Sequence, residues 1–154
     1  MSVGFGFDIH RLVPGRRLLL GGVEIPHPLG LLGHSDGDVV LHALIDALLG
    51  ASGQEDIGSK FPDTDPRYKG ISSEVLLAKV MDGLRGWTVV NADVTVVAEE
   101  PKIAPHRGAI RTKLAEGLRT DRVSIKGKTM EGLGPIGAGE AIAAYALVEL
   151  KAVG

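Results

Sequence analysis

Two stretches of the sequence carry histidines and aspartates at spacings that could hold a metal ion. Asp8 and His10 lie two residues apart in an alternating run, so both side chains project from one face of a predicted strand. His42 lies within an apolar run and shares one face of a predicted helix with Asp38 and Asp46. Burying such a stripe is costly unless its groups are paired or ligated. Asp8, His10 and His42 with one open position would suit zinc, manganese or cobalt.

These residues also have a purely structural interpretation. Asp8 and His10 could lie on a solvated strand face, and His42 could be a core histidine with satisfied hydrogen bonds. For a single histidine the structural interpretation would be preferred. The combination of all three residues favours the metal site.

The residues just before the predicted helix favour an anionic ligand. His34 and Ser35 precede a helix start, where free N–H groups and the positive end of the helix dipole attract phosphate. Their side chains would add hydrogen-bond donors. The alternative is that Ser35 or Asp36 serves as the N-cap of the helix.

The hydrophobic pattern predicts the elements that position these residues. Strands are expected over 3–12, 18–25 (one strand or a hairpin pair), 88–98, 122–129 and 141–150, and helices over 36–50, 73–85 and 105–118. Residues 51–71 form a predicted long loop, and such loops usually serve function. We expect one α/β domain over 1–154, a mixed sheet with helices on one face. Because 141–150 is apolar on both faces, a second subunit is expected to cover the other face.

Composition excludes several classes of protein. The chain has 154 residues, of which 44% are apolar and 23% charged, so it can bury a core and is not disordered. Its net charge of −2 offers no basic face and argues against nucleic-acid binding. The sequence has neither a membrane-spanning run nor a secretory leader, so a cytoplasmic location is expected. Without cysteine, a metal must be held by histidine and carboxylate.

Longer motifs resemble one known family. They are GFGFDIHRL at 4–12, HSDGDVVLHALIDALLG at 34–50, DIGSKFPDTDPRYKG at 56–70, EEPKIAPHRGAI at 99–110 and GKTMEGLG at 127–134. In order and spacing they resemble the 2-C-methyl-D-erythritol 2,4-cyclodiphosphate synthase family over essentially the whole chain. The sequence departs from the common family pattern at Gly132, Pro135 and Ala138.

The resemblance implies a lyase of the non-mevalonate isoprenoid pathway. Its substrate would be 4-diphosphocytidyl-2-C-methyl-D-erythritol 2-phosphate, whose 2-phosphate attacks the β-phosphorus and releases CMP. Because the nucleophile is already an anion, the reaction needs charge neutralisation and alignment. The resemblance further implies a homotrimer with its active sites between subunits.

The resemblance also assigns roles to individual residues. A zinc-type ion would be held by Asp8, His10 and His42, and a magnesium ion by Glu131 and substrate phosphates. His34 and Thr129 would steady the transition state. The implied substrate-binding set is Asp8, His10, His34, Ser35, Asp46, Asp56, Ile57, Gly58, Phe61, Pro62, Asp63, Thr64, Asp65, Ala98, Glu99, Glu100, Pro101, Lys102, Ile103, Ala104, Lys128, Thr129, Met130 and Glu131.

Within that set, residues 56–58 would hold the erythritol hydroxyls and residues 61–65 would form the adjoining wall of the site. Residues 98–104 would bind the cytosine base. Asp46 has two open interpretations, a direct substrate contact or a partner of a metal-binding histidine. Taken without the resemblance, Lys102 would be a solvated lysine and Pro101 an ordinary turn residue.

Two other functions remain as alternatives. The first is a metal-dependent phosphodiesterase that hydrolyses nucleotide diphosphates, although no residue stands out as a general base beside the metal set. The second is a non-enzymatic nucleotide-binding or assembly protein stabilised by metal. It would leave His34, Thr129 and Glu131 without a reason to be present.

Overall fold

The computed structural model describes residues 1–154 and contains seven strands and five α-helices. The strands are β1 (Ser2–Pro14), β2 (Leu18–Leu20), β3 (Val23–Ile25), β4 (Leu29–Leu31), β5 (Trp87–Val97), β6 (Val123–Lys128) and β7 (Ala141–Ala152). The helices are α1 (Val39–Ala51), α2 (Ile57–Lys60), α3 (Ser73–Gly83), α4 (Arg107–Leu118) and α5 (Gly134–Gly137), with 3₁₀ turns at Pro66–Tyr68 and Ala104–His106.

Five strands form one mixed sheet in the order β4-β1-β7-β5-β6. All neighbouring pairs are antiparallel except β5 and β6, which are parallel. Strands β2 and β3 form a separate hairpin, one of the two forms predicted for 18–25. The predicted mixed α/β sheet is confirmed.

Helix α1 packs closely against β1 because β1 has glycine where the two elements meet. A Cβ atom at Gly4 would overlap the main-chain carbonyl of Ala47, and one at Gly6 would overlap that of Ala43. Only glycine allows two backbones to approach this closely. His42 precedes Ala43 on the same helix, so the close packing also brings His42 to the face of β1 that carries Asp8 and His10.

The opposite face of β1 is open to solvent in the single chain. Val3, Phe5, Phe7 and Ile9 alternate with the residues that face α1, and Phe5 is 61% exposed. Tyr145 of β7 lies beside them, and its ring centroid is 5.0 Å from that of Phe7. An apolar face of this kind normally contacts another protein surface.

Several predicted boundaries were wrong. Helix α1 begins at Val39 with Asp38 as its N-cap, so neither Ser35 nor Asp36 caps it. Asp38 is preferred because its side chain accepts a hydrogen bond from the N–H of Leu41, three residues on. The sequence pattern also missed β4, α2 and α5, which are too short to show a hydrophobic period. No helix is both long and apolar enough to cross a membrane.

Candidate active site

The three predicted metal ligands come together where β1 meets α1. Asp8 Oδ2 lies 2.8 Å from His10 Nε2 and 3.1 Å from His42 Nδ1. The two histidine nitrogens are 3.2 Å apart. One carboxylate and two imidazoles that converge in this way match the donor set of a catalytic zinc site. The donor chemistry of this structure therefore fits a divalent ion, and the alternative of a solvated strand face is not supported.

Hydrogen bonds orient both histidines. His10 Nδ1 lies 2.6 Å from the carbonyl oxygen of Leu32, to which it can only donate. This contact turns Nε2 of His10 toward the centre. On His42, Nε2 lies 3.0 Å from Ser35 Oγ and 2.9 Å from Ser73 Oγ, which leaves Nδ1 facing Asp8. Outer partners of this kind are typical of histidines that ligate metals.

The pKa values of Asp8 and His10 reflect their pairing. Burial disfavours the ionised form of Asp8, but hydrogen bonds from His10 and His42 outweigh burial and lower the pKa of this carboxyl. Burial likewise disfavours protonated His10, yet the hydrogen bond and charge of Asp8 raise the pKa of His10. Asp8 thus favours a proton on His10, and a divalent ion at this position would compete with that proton.

A cleft opens beside this centre. Nine of the predicted site residues line it, namely Asp8, His10, His34, Ser35, His42, Ile57, Gly58, Phe61 and Asp63. The backbone of the loop that carries His34 and Ser35 is held by Arg16, whose guanidinium donates to Gly33 O at 3.3 Å and to Ser35 O at 2.8 Å. His34 is therefore presented by a fixed loop.

The segment 56–65 lines one side of the cleft, and acidic side chains hold this segment in place. Asp46 accepts a hydrogen bond from the N–H of Ile57 at 2.8 Å, so it anchors this segment and makes no hydrogen bond to His10 or His42. Burial raises the pKa of Asp46, against the effect of that hydrogen bond. Asp56 caps α2 through Ser59 N, and Asp65 caps the turn at Pro66–Tyr68. Pro62 and Thr64 lie in the turn between these two caps.

Asp38 shares the helical stripe in the sequence but lies outside the metal centre. It is fully buried, and its carboxylate accepts hydrogen bonds from Gly21 N at 2.9 Å, Gly22 N at 2.7 Å and Leu41 N at 3.1 Å. Burial raises its pKa to about 6 despite these donors. Asp38 therefore joins the β2–β3 hairpin to the start of α1.

The remaining predicted residues lie toward the β6 edge of the sheet, away from β1. Ala98–Ala104 follow β5, and Lys128–Glu131 follow β6. The two segments touch, because Ala98 N donates to Lys128 O at 2.9 Å. Glu99 Oε1 accepts from Met130 N at 2.7 Å and from Gly132 N at 3.1 Å.

Within one chain these two segments do not reach the metal centre. Asp8 pairs with Ala144 on β7, Ala144 with Val96 on β5, and Val96 with Gly127 on β6. Three strand spacings of about 4.8 Å separate the first and last of these residues by about 14 Å. Thr129 and Glu131 thus lie across the sheet from Asp8, and neither lines the cleft.

Two residues that hold the centre escaped the sequence analysis. Ser73 contacts His42 from α3, and Arg16 fixes the loop that carries His34. Neither belongs to a recognisable motif, since their roles depend on contacts between elements distant in sequence. The sequence offered no signal for either.

Known proteins similar to this chain share one description. The YgbB family profile matches residues 1–151. The 2-C-methyl-D-erythritol 2,4-cyclodiphosphate synthase of Dechloromonas aromatica is 56% identical over 156 aligned positions, and the alignment covers 99% of this chain and 98% of that protein.

Solved structures agree with this sequence match. The bifunctional IspDF of Campylobacter jejuni superposes with a TM-score of 0.94 at 42% identity, over 99% of this chain and 42% of that one. A CDP-bound form of 2C-methyl-D-erythritol-2,4-cyclodiphosphate synthase gives a TM-score of 0.88 at 45% identity, over 97% of this chain and 99% of that one. The converging Asp8, His10 and His42, the mixed sheet and the match over nearly all of the sequence lead to one conclusion: the chain belongs to the YgbB family.

Proposed function

We propose that the protein is a 2-C-methyl-D-erythritol 2,4-cyclodiphosphate synthase. Its substrate is 4-diphosphocytidyl-2-C-methyl-D-erythritol 2-phosphate. An oxygen of the 2-phosphate bonds to the β-phosphorus, the bond from the β-phosphorus to the bridging oxygen breaks, and CMP leaves with that oxygen. The observation that carries the proposal is the convergence of Asp8, His10 and His42 within 4.8 Å beside a cleft.

Asp8, His10 and His42 hold a divalent ion, for which zinc is the first choice and manganese and cobalt are substitutes. When bound, this ion neutralises phosphate charge and helps to align the diphosphate. The acidic side chain of Glu131 holds magnesium together with substrate phosphates, because magnesium prefers oxygen ligands. No general base is required, since the attacking phosphate is already an anion.

The loop residues position the reacting groups. His34 and Ser35 donate hydrogen bonds to phosphate oxygens at the mouth of the cleft, and Thr129 does so from the far side of the substrate. Asp56, Ile57 and Gly58 hold the erythritol hydroxyls, with 61–65 as the adjoining wall. Residues 98–104 bind cytosine through backbone groups; a similar enzyme with CDP bound supports a cytidine nucleotide as ligand.

The enzyme works as a homotrimer, with each site shared by two chains. Two features support this part of the proposal. The metal centre lies on β1 and α1, whereas Thr129–Glu131 follow β6 across the sheet, so a substrate that touches both needs a neighbouring copy. The exposed face around Phe5, Phe7 and Tyr145 supplies the apolar surface for such contacts. Light scattering at micromolar concentration should give three times the chain mass, and a monomer would refute the shared site. We also propose a cytoplasmic location, since the substrate is a charged metabolite.

Product analysis tests the reaction. The protein is incubated with its proposed substrate, zinc and magnesium, and the products are followed by ³¹P nuclear magnetic resonance. We expect cyclic diphosphate and CMP in equal amounts. CMP with a linear phosphate would instead identify a phosphodiesterase, and nucleotide binding without turnover would identify a non-enzymatic protein.

A further inference from the structure

One residue outside every predicted site touches the metal centre. Ser73 is completely buried at the start of α3, and its Oγ lies 2.9 Å from His42 Nε2. The same hydroxyl contacts Asp36 Oδ1 at short range, and the N–H of Ser73 donates to Asp36 Oδ2 at 2.9 Å. Asp36, Ser73 and His42 therefore form a continuous chain of hydrogen bonds.

The direction of each bond follows from the protons available. The carboxylate of Asp36 can only accept, so the single proton of the Ser73 hydroxyl points toward it. Toward His42, the Ser73 oxygen can then offer only lone pairs. The bond between them therefore requires a proton on His42 Nε2, and a neutral imidazole protonated there has its lone pair on Nδ1.

We propose that Ser73, fixed by Asp36, is a positioning residue that selects the His42 tautomer competent to bind metal. This inference rests on the proposed metal site and extends it to α3, an element that supplies no ligand. Nδ1 of His42 faces Asp8 Oδ2 at 3.1 Å and His10 Nε2 at 3.2 Å, so in this tautomer its lone pair points at the metal position.

Ser73 gives this control in a way that Ser35 does not. Ser35 Oγ also lies 3.0 Å from His42 Nε2, but its only other hydrogen-bond contact is the N–H of Gly37, a donor. The hydroxyl proton of Ser35 therefore has no fixed acceptor, and Ser35 could donate to His42 or accept from it. Only the carboxylate of Asp36 determines the direction.

Metal affinity without substrate tests the proposal. In Ser73→Ala we expect the zinc dissociation constant, measured by chelator competition, to rise by about 10- to 100-fold. Ser72→Ala is the matched control: Ser72 is the adjacent serine, but its hydroxyl caps α3 through Glu74 N and does not touch His42. Its zinc affinity should equal that of the wild type. Equal affinities in the two variants would overturn the proposal, whatever the outcome of the product analysis.

A second measurement uses the wild-type protein and does not depend on how Ser73→Ala folds. In the zinc-loaded protein, ¹⁵N chemical shifts of the imidazole nitrogens report which nitrogen of His42 carries the proton and which binds the metal. We expect the proton on Nε2 and zinc on Nδ1. A proton on Nδ1 with zinc on Nε2 would refute the proposal.

Discussion

The metal centre and the nucleotide segments are built in opposite ways. The proposed metal centre, defined by Asp8, His10 and His42, rests on a strand and a helix that pack closely. The nucleotide segments, as we name residues 98–104 and 128–131 for their proposed role, follow the ends of β5 and β6. The side chain of His42 is only 11% exposed, whereas Met130 is 40% exposed.

The nucleotide segments depend on one side chain for their geometry. Glu131 has a φ of 53°, a left-handed conformation that costs a residue other than glycine of order 1 kcal/mol. The carboxylate of Glu99 accepts hydrogen bonds from the N–H groups of Met130 and Gly132, the residues on either side of Glu131. The difference teaches that core packing prepares the metal centre in the single chain, whereas the nucleotide segments depend on a few loop hydrogen bonds.

The largest effect should come from removing a ligand of the metal centre. In His42→Ala we expect bound zinc to be lost and turnover to fall by about 10³-fold or more, since an ion that stabilises phosphate charge is worth several kcal/mol. The fold should survive. His27→Ala, which changes a histidine with no hydrogen-bond partner, is the control. Unchanged zinc content in His42→Ala, measured by elemental analysis, would defeat the assignment.

Glu131→Gln should separate the two regions. We expect turnover to fall by about 10²-fold because a neutral amide binds magnesium more weakly than a carboxylate does, with a steeper dependence of rate on magnesium concentration. Zinc affinity should stay at the wild-type value, because Glu131 lies across the sheet. A loss of zinc in this variant would mean that the two regions are not independent.

Gly6→Ala tests whether packing prepares the metal centre. The added methyl group would overlap the carbonyl of Ala43, so we expect the free energy of unfolding to fall by about 1–3 kcal/mol and zinc to bind more weakly. Gly50 lies on α1, and a methyl group added there would meet no neighbouring atom. Gly50→Ala should therefore be neutral or stabilising by up to about 1 kcal/mol. Urea denaturation of both variants measures this difference. Equal stability would show that α1 can shift freely.

Asp38 should make the free energy of unfolding depend on pH. Its pKa is about 6 in the folded protein and about 3.9 in an unfolded chain, so the folded state binds more protons between these values. Its contribution to stability is fully present below about pH 4 and is lost as pH rises through 6, by at most about 3 kcal/mol. Denaturation of the metal-free protein at several pH values should show a flatter profile in Asp38→Asn. Parallel profiles would contradict the raised pKa.

The smallest effect is expected at Glu99. Both N–H groups point at a single oxygen, Oε1, so Glu99→Gln keeps an acceptor there and Glu99→Ala does not. We expect Glu99→Ala to raise KM about tenfold, which matches the roughly 1–1.5 kcal/mol of a hydrogen bond, and Glu99→Gln to remain near the wild type. If both variants lose activity equally, the charge of Glu99 matters and its acceptor role does not.

Local patterns in the sequence were enough to predict much of this protein. Alternation placed Asp8 and His10 on one face of β1, and helical spacing put His42 and Asp46 on one face of α1, because these periods follow from backbone geometry. Absence of cysteine limited the metal ligands to imidazole and carboxylate. The long motifs carried the family resemblance, and the family is confirmed.

Tertiary structure decided what each neighbour of those residues does. Asp38 and Asp46 look equivalent around His42 in the sequence, yet one caps a buried helix and the other anchors Ile57. Ser73 reaches His42 from 31 positions away, and no local period encodes such a contact. The separation of Asp8 from Glu131 follows from the strand order of the sheet. Strand order arises from pairing between distant segments, so a local pattern cannot specify it.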